Sequence, residues 1–191
     1  EGFGPVDSTI ADNKRASVAR CYLHPVMNRP NLTVITKALA SRILVEGGRA
    51  VGVEYIKGGQ VHTLRAEREV ILAGGAINSP QLLQLSGIGD GDQLHSLGIK
   101  VVHELKGVGQ NLQDHLACGV KQRCTQPISF LKHTKPLGAT AAFIQYVLTR
   151  TGPATSHGLE AMAFLKSQTD LVAPDLQFFF VLLIYGDHGR K

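Results

Sequence analysis

Hydrophobic and polar positions alternate over short stretches between residues 32 and 72, and pairs of glycines interrupt the alternation. Alternation with a period of two is typical of half-buried β-strands, and paired glycines between such segments favour tight hairpin turns. The pattern therefore predicts a meander of β-hairpins. Its strands are expected at residues 32–36, 41–45, 51–56, 61–65 and 70–72.

Segments of helical periodicity lie on both sides of this meander. Apolar residues at helical spacing, with Gly or Pro near the ends, predict helices. The predicted helices are 14–23, 92–97 and 137–150, and further strands are predicted at 100–103, 159–165 and 176–185. The mixed pattern gives way near Cys118 to one helix and two long strands, which predicts domains 1–117 and 118–191.

These elements predict a fold of the α/β class (α+β mixed). We expect the first domain to contain the β-meander and the second to begin an antiparallel sheet. A polar loop at residues 107–115 opens with two glycines. Such a loop is typical of ligand sites, and it is equally typical of turns in which Asn and Asp bond to their own backbone.

The segment after the last predicted strand consists of small residues, Ala-Gly-Gly-Ala at 73–76. Small side chains let another molecule approach the backbone closely. Ser79 and Pro80 are predicted as the N-cap and first-turn residues of a helix that ends at Ser86 and Gly87. The N–H groups of such a bend suit a phosphate or an electron-rich ring. A glycine-rich connection in any α/β domain has the same local pattern.

The composition is that of a globular protein, because 43% of the 191 residues are hydrophobic and 18% are charged. The net charge of +5 comes from scattered basic residues without interleaved aromatic residues, which favours a solvated surface over a nucleic-acid partner. No apolar stretch reaches the roughly 20 residues that span a bilayer. The chain lacks an initiator Met and ends soon after an apolar run, so we expect an internal fragment.

The cysteines and histidines do not have the spacing of a metal site or of a disulfide framework. Cys21, Cys118 and Cys124 form no CxxC pair, which favours free thiols in a reducing, cytoplasmic compartment. Pairing of Cys118 with Cys124, or metal binding with His115, is the alternative. Ser86 lacks the surrounding glycines of a nucleophile elbow, so no serine nucleophile is predicted.

The spacing across residues 75–89 resembles the second signature of the glucose-methanol-choline (GMC) family of flavin-dependent oxidoreductases. The matching positions are Gly75, Ala76, Ser79, Pro80, Leu82, Leu83, Ser86, Gly87, Ile88 and Gly89. Three further segments resemble the family in the same order: Arg-Pro-Asn-Leu at 29–32, Arg-Ala-Val-Gly-Val-Glu at 49–54 and Val-Gly-Gln-Asn-Leu-Gln-Asp-His at 108–115. The likeness covers nearly the whole chain.

The resemblance implies FAD as the cofactor and no metal. It also implies oxidation of a primary alcohol to an aldehyde by hydride transfer to the flavin, with an acceptor other than NAD. The implied cofactor contacts are Ala40 at the adenine end, Ala73, Gly74 and Gly75 close to FAD, and Asn111 and His115 near the flavin. For Gln113 and Asp114 in the same loop, structural bracing is the alternative. No residue matches the catalytic His of the family.

Within the family the likeness is to choline dehydrogenases and to acceptor-dependent alcohol dehydrogenases. Glu160 resembles the glutamate that holds a trimethylammonium head, and an ion pair with a basic side chain is its alternative. Phe179 stands where choline-oxidising members have His, and a phenyl ring cannot bond a substrate hydroxyl. A more apolar alcohol is therefore expected, with choline and a non-catalytic flavin-fold interaction module as alternatives.

The resemblance also bears on partners and location. Members that reduce a membrane quinone often associate with the inner membrane, so a quinone or another carrier is the implied electron acceptor. We expect a cytoplasmic protein, with peripheral association at the inner membrane as the alternative.

Overall fold

A computed structural model describes residues 1–126 and 128–183 of the chain. Its strands are β1 (Gly2–Pro5), β2 (Ile10–Ala11), β3 (Lys14–Arg15), β4 (Leu39–Glu46), β5 (Arg49–Lys57), β6 (Gln60–Arg65), β7 (Ile88–Gly89), β8 (His103–Glu104), β9 (Leu159–Leu165) and β10 (Leu176–Val181). Its α-helices are α1 (Gly75–Leu85), α2 (Gly91–Ser96), α3 (Leu131–Thr134) and α4 (Pro136–Thr149). A π-helical turn covers Ala19–Leu23, and 3-10 turns cover His24–Val26 and Pro153–Thr155.

The chain forms two compact units. The meander unit is Thr33–Ala117, and the sheet unit is Glu1–Leu32 together with the described residues from Cys118 onwards. The domains 1–117 and 118–191, which the change of pattern near Cys118 predicts, stay a prediction. None of the described helices is long and apolar enough to cross a membrane.

The meander unit is built on the antiparallel sheet β4-β5-β6. Its two hairpin turns are glycine pairs at positive φ, Gly47 with Gly48 and Gly58 with Gly59. The three central strands of the predicted meander are thus confirmed. At Gly52 in β5, a Cβ atom would overlap the carbonyl oxygen of Leu64, so the close approach of β5 to β6 requires glycine there.

Both outer strands of the predicted meander are wrong. Residues 32–36 and 70–72 form no ladder with any described part of the chain. Their alternation of apolar residues indicates that they can be buried, but a strand exists only where a second backbone supplies hydrogen-bond partners. The strand predicted at 100–103 is also displaced, since β8 is His103–Glu104, in parallel register with Ile88–Gly89.

Helix α1 begins five residues earlier than the sequence predicts. Its N-cap is Gly74, so the prediction that Ser79 is the N-cap is wrong, and Pro80 lies inside the helix. Pro80 has no N–H to donate to the carbonyl oxygen of Ala76, so α1 lacks that helical hydrogen bond. The predicted end is confirmed, with Ser86 as the C-cap and Gly87 at φ +82°.

Helix α2 confirms the helix predicted at 92–97. The side chain of its N-cap, Asp90, accepts a hydrogen bond from the backbone N–H of Gln93 at 3.0 Å. Leu94 is its most deeply buried residue and is 1% exposed. The short helix packs this leucine into the meander unit, whose other buried apolar residues are Ile43 and Val108.

The sheet unit contains the antiparallel sheet β1-β9-β10, with β9 in the centre. The predicted strand 159–165 and the predicted helix 137–150 are confirmed by β9 and α4. Strand β10 confirms the start of the predicted strand 176–185, of which 184 and 185 lie outside the described residues. The mixed α/β class, with a meander and a second antiparallel sheet, is confirmed.

The helix predicted at 14–23 is wrong over its first half. Asp12 and Asn13 both adopt positive φ and make a two-residue turn, which pairs Lys14 and Arg15 with Ile10–Ala11. Asp and Asn tolerate the left-handed conformation that such hairpins need. The helical part is therefore limited to the turn that begins at Ala19.

Candidate functional site

The bend that precedes α1 leaves its backbone open. Ala73, Gly74 and Gly75 are all exposed. Gly75 has φ +87°, and a Cβ atom placed on it would meet no atom of the described chain within 4 Å. A flat molecule can therefore approach the main chain here to van der Waals distance. The open glycine backbone fits a cofactor such as FAD.

The N-terminal end of α1 adjoins this bend. No side chain among the described residues caps Gly74, and the first turn carries no acidic residue. The first four N–H groups of an α-helix have no acceptor within the helix, and they carry the positive end of its dipole. The bend therefore offers hydrogen-bond donors and partial positive charge to an electron-rich ligand.

The C-terminal end of α1 is held by a buried hydroxyl. Ser86 is 1% exposed, and its Oγ accepts a hydrogen bond from the backbone N–H of Ile43 at 2.8 Å. The same Oγ donates to the carbonyl oxygen of Leu82 at 2.6 Å. The Ile43 N–H belongs to β4, which lies at the edge of the meander. Ser86 thus ties α1 to the sheet.

A second side chain of α1 reaches the loop after β8. Gln84 donates from Nε2 to the carbonyl oxygen of Val108 at 3.3 Å. Gly109, at φ +78°, packs so closely that a Cβ atom on it would lie 2.7 Å from Gln84 Nε2. Sequence reasoning missed both hydrogen bonds that connect α1 to other segments. The one available sequence signal was that Ser86 and Gly109 both lie in segments resembling the GMC family.

The other predicted cofactor contacts lie in the same unit. Ala40 is exposed in β4, opposite Tyr55, and the ladder shifts register immediately after it. Asn111 has φ +54°, and His115 is exposed, with its backbone N–H bonded to Asp114 Oδ1 at 2.8 Å. All six predicted cofactor residues therefore belong to the meander unit. Their contact with FAD stays a prediction.

The two predicted substrate residues lie in the sheet unit. Phe179 is 48% exposed and stands opposite Met162 of β9. Glu160 lies two residues from Met162, at the point where the β9–β10 register shifts. Its carboxylate accepts a hydrogen bond from Ser156 Oγ at 2.5 Å, and it forms no ion pair within the described residues. The bulge gives Glu160 a position outside the regular ladder.

An open depression of about 340 Å³ lies on the same sheet. Its lining is Glu1, Gly2, Phe3, Gly4, Pro5, Met162 and Phe164. Neither Glu160 nor Phe179 contributes to it. Its lining side chains are apolar apart from Glu1, whose carboxylate accepts a hydrogen bond from the backbone N–H of Lys166 at 2.7 Å.

The three cysteines are exposed and make no disulfide in the part of the chain that the structure describes. Within the same residues, no three His, Cys, Asp or Glu side chains come together as metal ligands. The thiols therefore play no part in the geometry of the bend.

Comparison with known proteins identifies the relatives of this chain. The family described as GMC oxidoreductase matches residues 1–117. Choline dehydrogenase, mitochondrial, of Mus musculus is 52% identical over 191 residues, which are all of this chain and 32% of that protein. The oxygen-dependent choline dehydrogenase of Staphylococcus xylosus is 45% identical over all of this chain and 34% of its own length.

A solved structure shows the same similarity in three dimensions. An FAD-dependent oxidoreductase from Chaetomium thermophilum superposes with a TM-score of 0.74 at 30% identity, over 86% of this chain and 30% of that chain. The chain thus spans about a third of the length of the curated relatives it matches. The family match covers well over half of the residues and includes the bend and both ends of α1. The chain belongs to the GMC oxidoreductase family.

Proposed function

We propose that the protein containing this chain is an FAD-dependent oxidoreductase that oxidises a primary alcohol to an aldehyde and passes the electrons to an acceptor other than NAD. Support comes from the family membership and from the names of the relatives. The observation that carries the proposal is the open backbone at Gly75 beside the uncapped start of α1. That combination of space and donors fits a large, electron-rich cofactor.

FAD, when bound, supplies the hydride-accepting ring. The residues proposed to hold it are Ala40, Ala73, Gly74, Gly75, Asn111 and His115. The bend gives close main-chain approach, and the first-turn N–H groups of α1 stabilise electron-rich atoms. Asn111 adds an amide that can both donate and accept. We assign this cofactor role to domain 1–117 and substrate binding to 118–191.

The proposed substrate is an apolar primary alcohol. Phe179 presents a ring without a hydrogen-bond donor, beside Met162 on the next strand. Phe179 is about half exposed, and the neighbouring Phe178 points to the opposite face of the sheet. Apolar side chains of this size stabilise the alkyl part of a substrate by burying it from water.

Choline is the second candidate substrate. The observation that favours it is the Glu160 carboxylate, which forms no ion pair within the described residues and remains able to attract a cation. The names of the relatives at 44–52% identity support the same candidate. Glu160 and Phe179 thus favour different alcohols, and a direct comparison of substrates separates them.

The test uses the full-length protein. Its visible absorption spectrum is expected to show bound flavin, and anaerobic addition of an alcohol substrate is expected to bleach it. A colourless protein would contradict the proposal. A coloured protein that no alcohol bleaches would leave the non-catalytic flavin-fold module as the function. NAD is expected to give no turnover, whereas a quinone or a dye gives it.

The substrate test compares choline with its neutral carbon analogue, in which a tert-butyl group replaces the trimethylammonium. The two have nearly the same shape and differ in charge. If the preferred substrate is apolar, kcat/KM is higher for the neutral analogue than for choline. If choline is preferred by about tenfold, equivalent to about 1.4 kcal/mol, Glu160 supplies the attraction. Glu160→Gln then abolishes the preference, and Glu46→Gln in the meander unit serves as the matched control.

The proposed location is cytoplasmic, with a quinone or another carrier as the electron acceptor. Support comes from the three exposed thiols, which are typical of a reducing compartment. Peripheral association with the inner membrane is part of the same proposal. Fractionation of cells expressing the full-length protein, with and without a high-salt wash, tests it.

A further inference from the structure

We propose that Ser86 and Gln84 are positioning residues that fix the three cofactor-contacting segments of the meander unit relative to one another. The inference rests on the proposed function, because it concerns FAD. It goes beyond that function by assigning roles to two side chains that do not contact the cofactor themselves. Helix α1 is the element that connects all three segments.

The first segment is the start of α1 itself. The bend at 73–75 is continuous with the first turn, so its position follows directly from that of the helix. Ser86 lies eleven residues from Gly75. At 1.5 Å per residue, roughly 17 Å of helix separates the hydroxyl from the bend. Ser86 therefore acts on the cofactor site only through the placement of α1.

The second segment is β4, which carries Ala40. The Ile43 N–H points out of the edge of the sheet and finds its acceptor in Ser86 Oγ, at 2.8 Å. Ile43 is 6% exposed, so water does not replace that acceptor. Because Ala40 is three residues away on the same strand, this bond fixes its position relative to α1.

The third segment is the loop that carries Asn111 and His115. Gln84 bonds to the carbonyl oxygen of Val108, and Gly109 packs against the Gln84 amide. Val108 is buried, so the bond anchors the loop at its base. Asn111 follows three residues later, and its positive φ sets the direction in which the loop leaves that anchor.

The experiment compares two variants of the full-length protein at one position, Ser86→Thr and Ser86→Val. Threonine and valine have nearly the same shape, so both crowd the buried site equally, but only threonine keeps the hydroxyl. The measurements are the FAD dissociation constant and the visible spectrum of the bound flavin. We expect Ser86→Val to bind FAD about tenfold more weakly than Ser86→Thr, as for the loss of one buried bond.

Ser96 provides the matched control. Its hydroxyl also bonds back to a helix carbonyl, that of Gln93 at 2.7 Å, but it is exposed and reaches no other segment. Ser96→Thr and Ser96→Val are expected to bind FAD equally. Hydrogen exchange of the Ile43 amide shows directly whether the bond to position 86 is present, and we expect faster exchange in Ser86→Val than in Ser86→Thr.

A second variant keeps the proposal testable if crowding at position 86 prevents folding. Gln84→Met preserves the length of the side chain and removes the donor to Val108, and Gln81→Met on the exposed surface of α1 is its control. We expect weaker FAD binding and an altered flavin spectrum for Gln84→Met only.

Three outcomes distinguish a failure of the positioning role from a failure of the proposed function. If Ser86→Val speeds the exchange of the Ile43 amide but binds FAD within about twofold of Ser86→Thr, the positioning role is wrong while the proposed function stands. If Gln84→Met and Gln81→Met bind FAD equally, the role of Gln84 is wrong in the same way. If the wild-type protein binds no FAD, the proposed function fails, and with it the inference that rests on it.

Discussion

The two ends of α1 differ in what they contact. The N-terminal end at Gly74 and Gly75 is exposed and has no side-chain cap, and a Cβ atom on Gly75 would meet no described atom within 4 Å. The C-terminal end is buried, and Ser86 bonds there to another element. One end therefore depends on the fold of the chain, and the other remains accessible to a ligand. The family signature therefore includes both the end of α1 that is held by the fold and the end that is accessible to a ligand.

Glycine shows the same contrast. Gly75 and Gly87 both have positive φ, which L-residues with side chains rarely adopt. At Gly87 a Cβ atom would also overlap the carbonyl oxygen of Lys100 and lie 2.9 Å from Val102 Cγ2. At Gly75 it would meet no described atom. The chain itself excludes a side chain at Gly87, whereas only a bound molecule would exclude one at Gly75.

The largest effect is expected for Gly87→Ala compared with Gly98→Ala. Gly98 follows α2 at φ +72°, with no described atom within 4 Å of a Cβ, so its substitution costs only backbone strain, roughly 1–2 kcal/mol. Gly87→Ala adds the overlap with Lys100, for a total of roughly 3 kcal/mol or more. Hydrogen exchange of the Val102 and His103 amides, which bond to the Gly87 carbonyl, measures the difference. Equal exchange in the two variants would show that the C-terminal end of α1 is not tightly packed.

The parts of the fold that were predicted correctly have local causes. The strands 41–45, 51–56 and 61–65 follow from alternation between glycine turns, and α2 follows from apolar residues at helical spacing before Gly98. Each signal lies within a few residues of the element it predicts. Local patterns of this kind largely determine where short antiparallel strands and capped helices begin and end.

The parts that sequence reasoning missed have distant causes. The bond between Ser86 and Ile43 joins residues 43 positions apart, and no local pattern indicates it. The segment 70–72 has the composition of a strand but no partner among the described residues. The start of α1 was misplaced because Gly74, and not Ser79, is its N-cap. Glycine leaves no side-chain signal of capping, whereas serine does.

A smaller effect on stability is expected for a hydrogen-bonded pair of side chains that is exposed to solvent. In the loop between β9 and β10, hydrogen bonds from the Ser167 hydroxyl (2.6 Å) and backbone N–H (2.7 Å) lower the pKa of Asp175. Because the pKa is lowered in the folded state, the stabilisation is present above the unfolded pKa and is lost as the pH falls through the folded pKa. This tie is solvated, unlike the bond of Ser86.

Asp175→Asn tests this tie against Asp170→Asn in the same loop. We expect faster exchange of the Ser167 amide at neutral pH in Asp175→Asn only, and no difference between that variant and the wild type once the pH is below the folded pKa of Asp175. The effect on global stability is expected to be small, since exposed ties contribute little. A loss of stability as large as that of Gly87→Ala would contradict the conclusion that burial sets the strength of these ties.

The most direct measurement compares FAD binding to the full-length Gly75→Ala and Gly59→Ala variants. Both glycines have positive φ, +87° and +78°, and a Cβ atom on either would meet no described atom within 4 Å. The strain and the loss of stability are therefore expected to be the same. We predict an FAD dissociation constant about tenfold higher for Gly75→Ala than for Gly59→Ala. Equal dissociation constants would contradict the conclusion that the open end of α1 receives the cofactor.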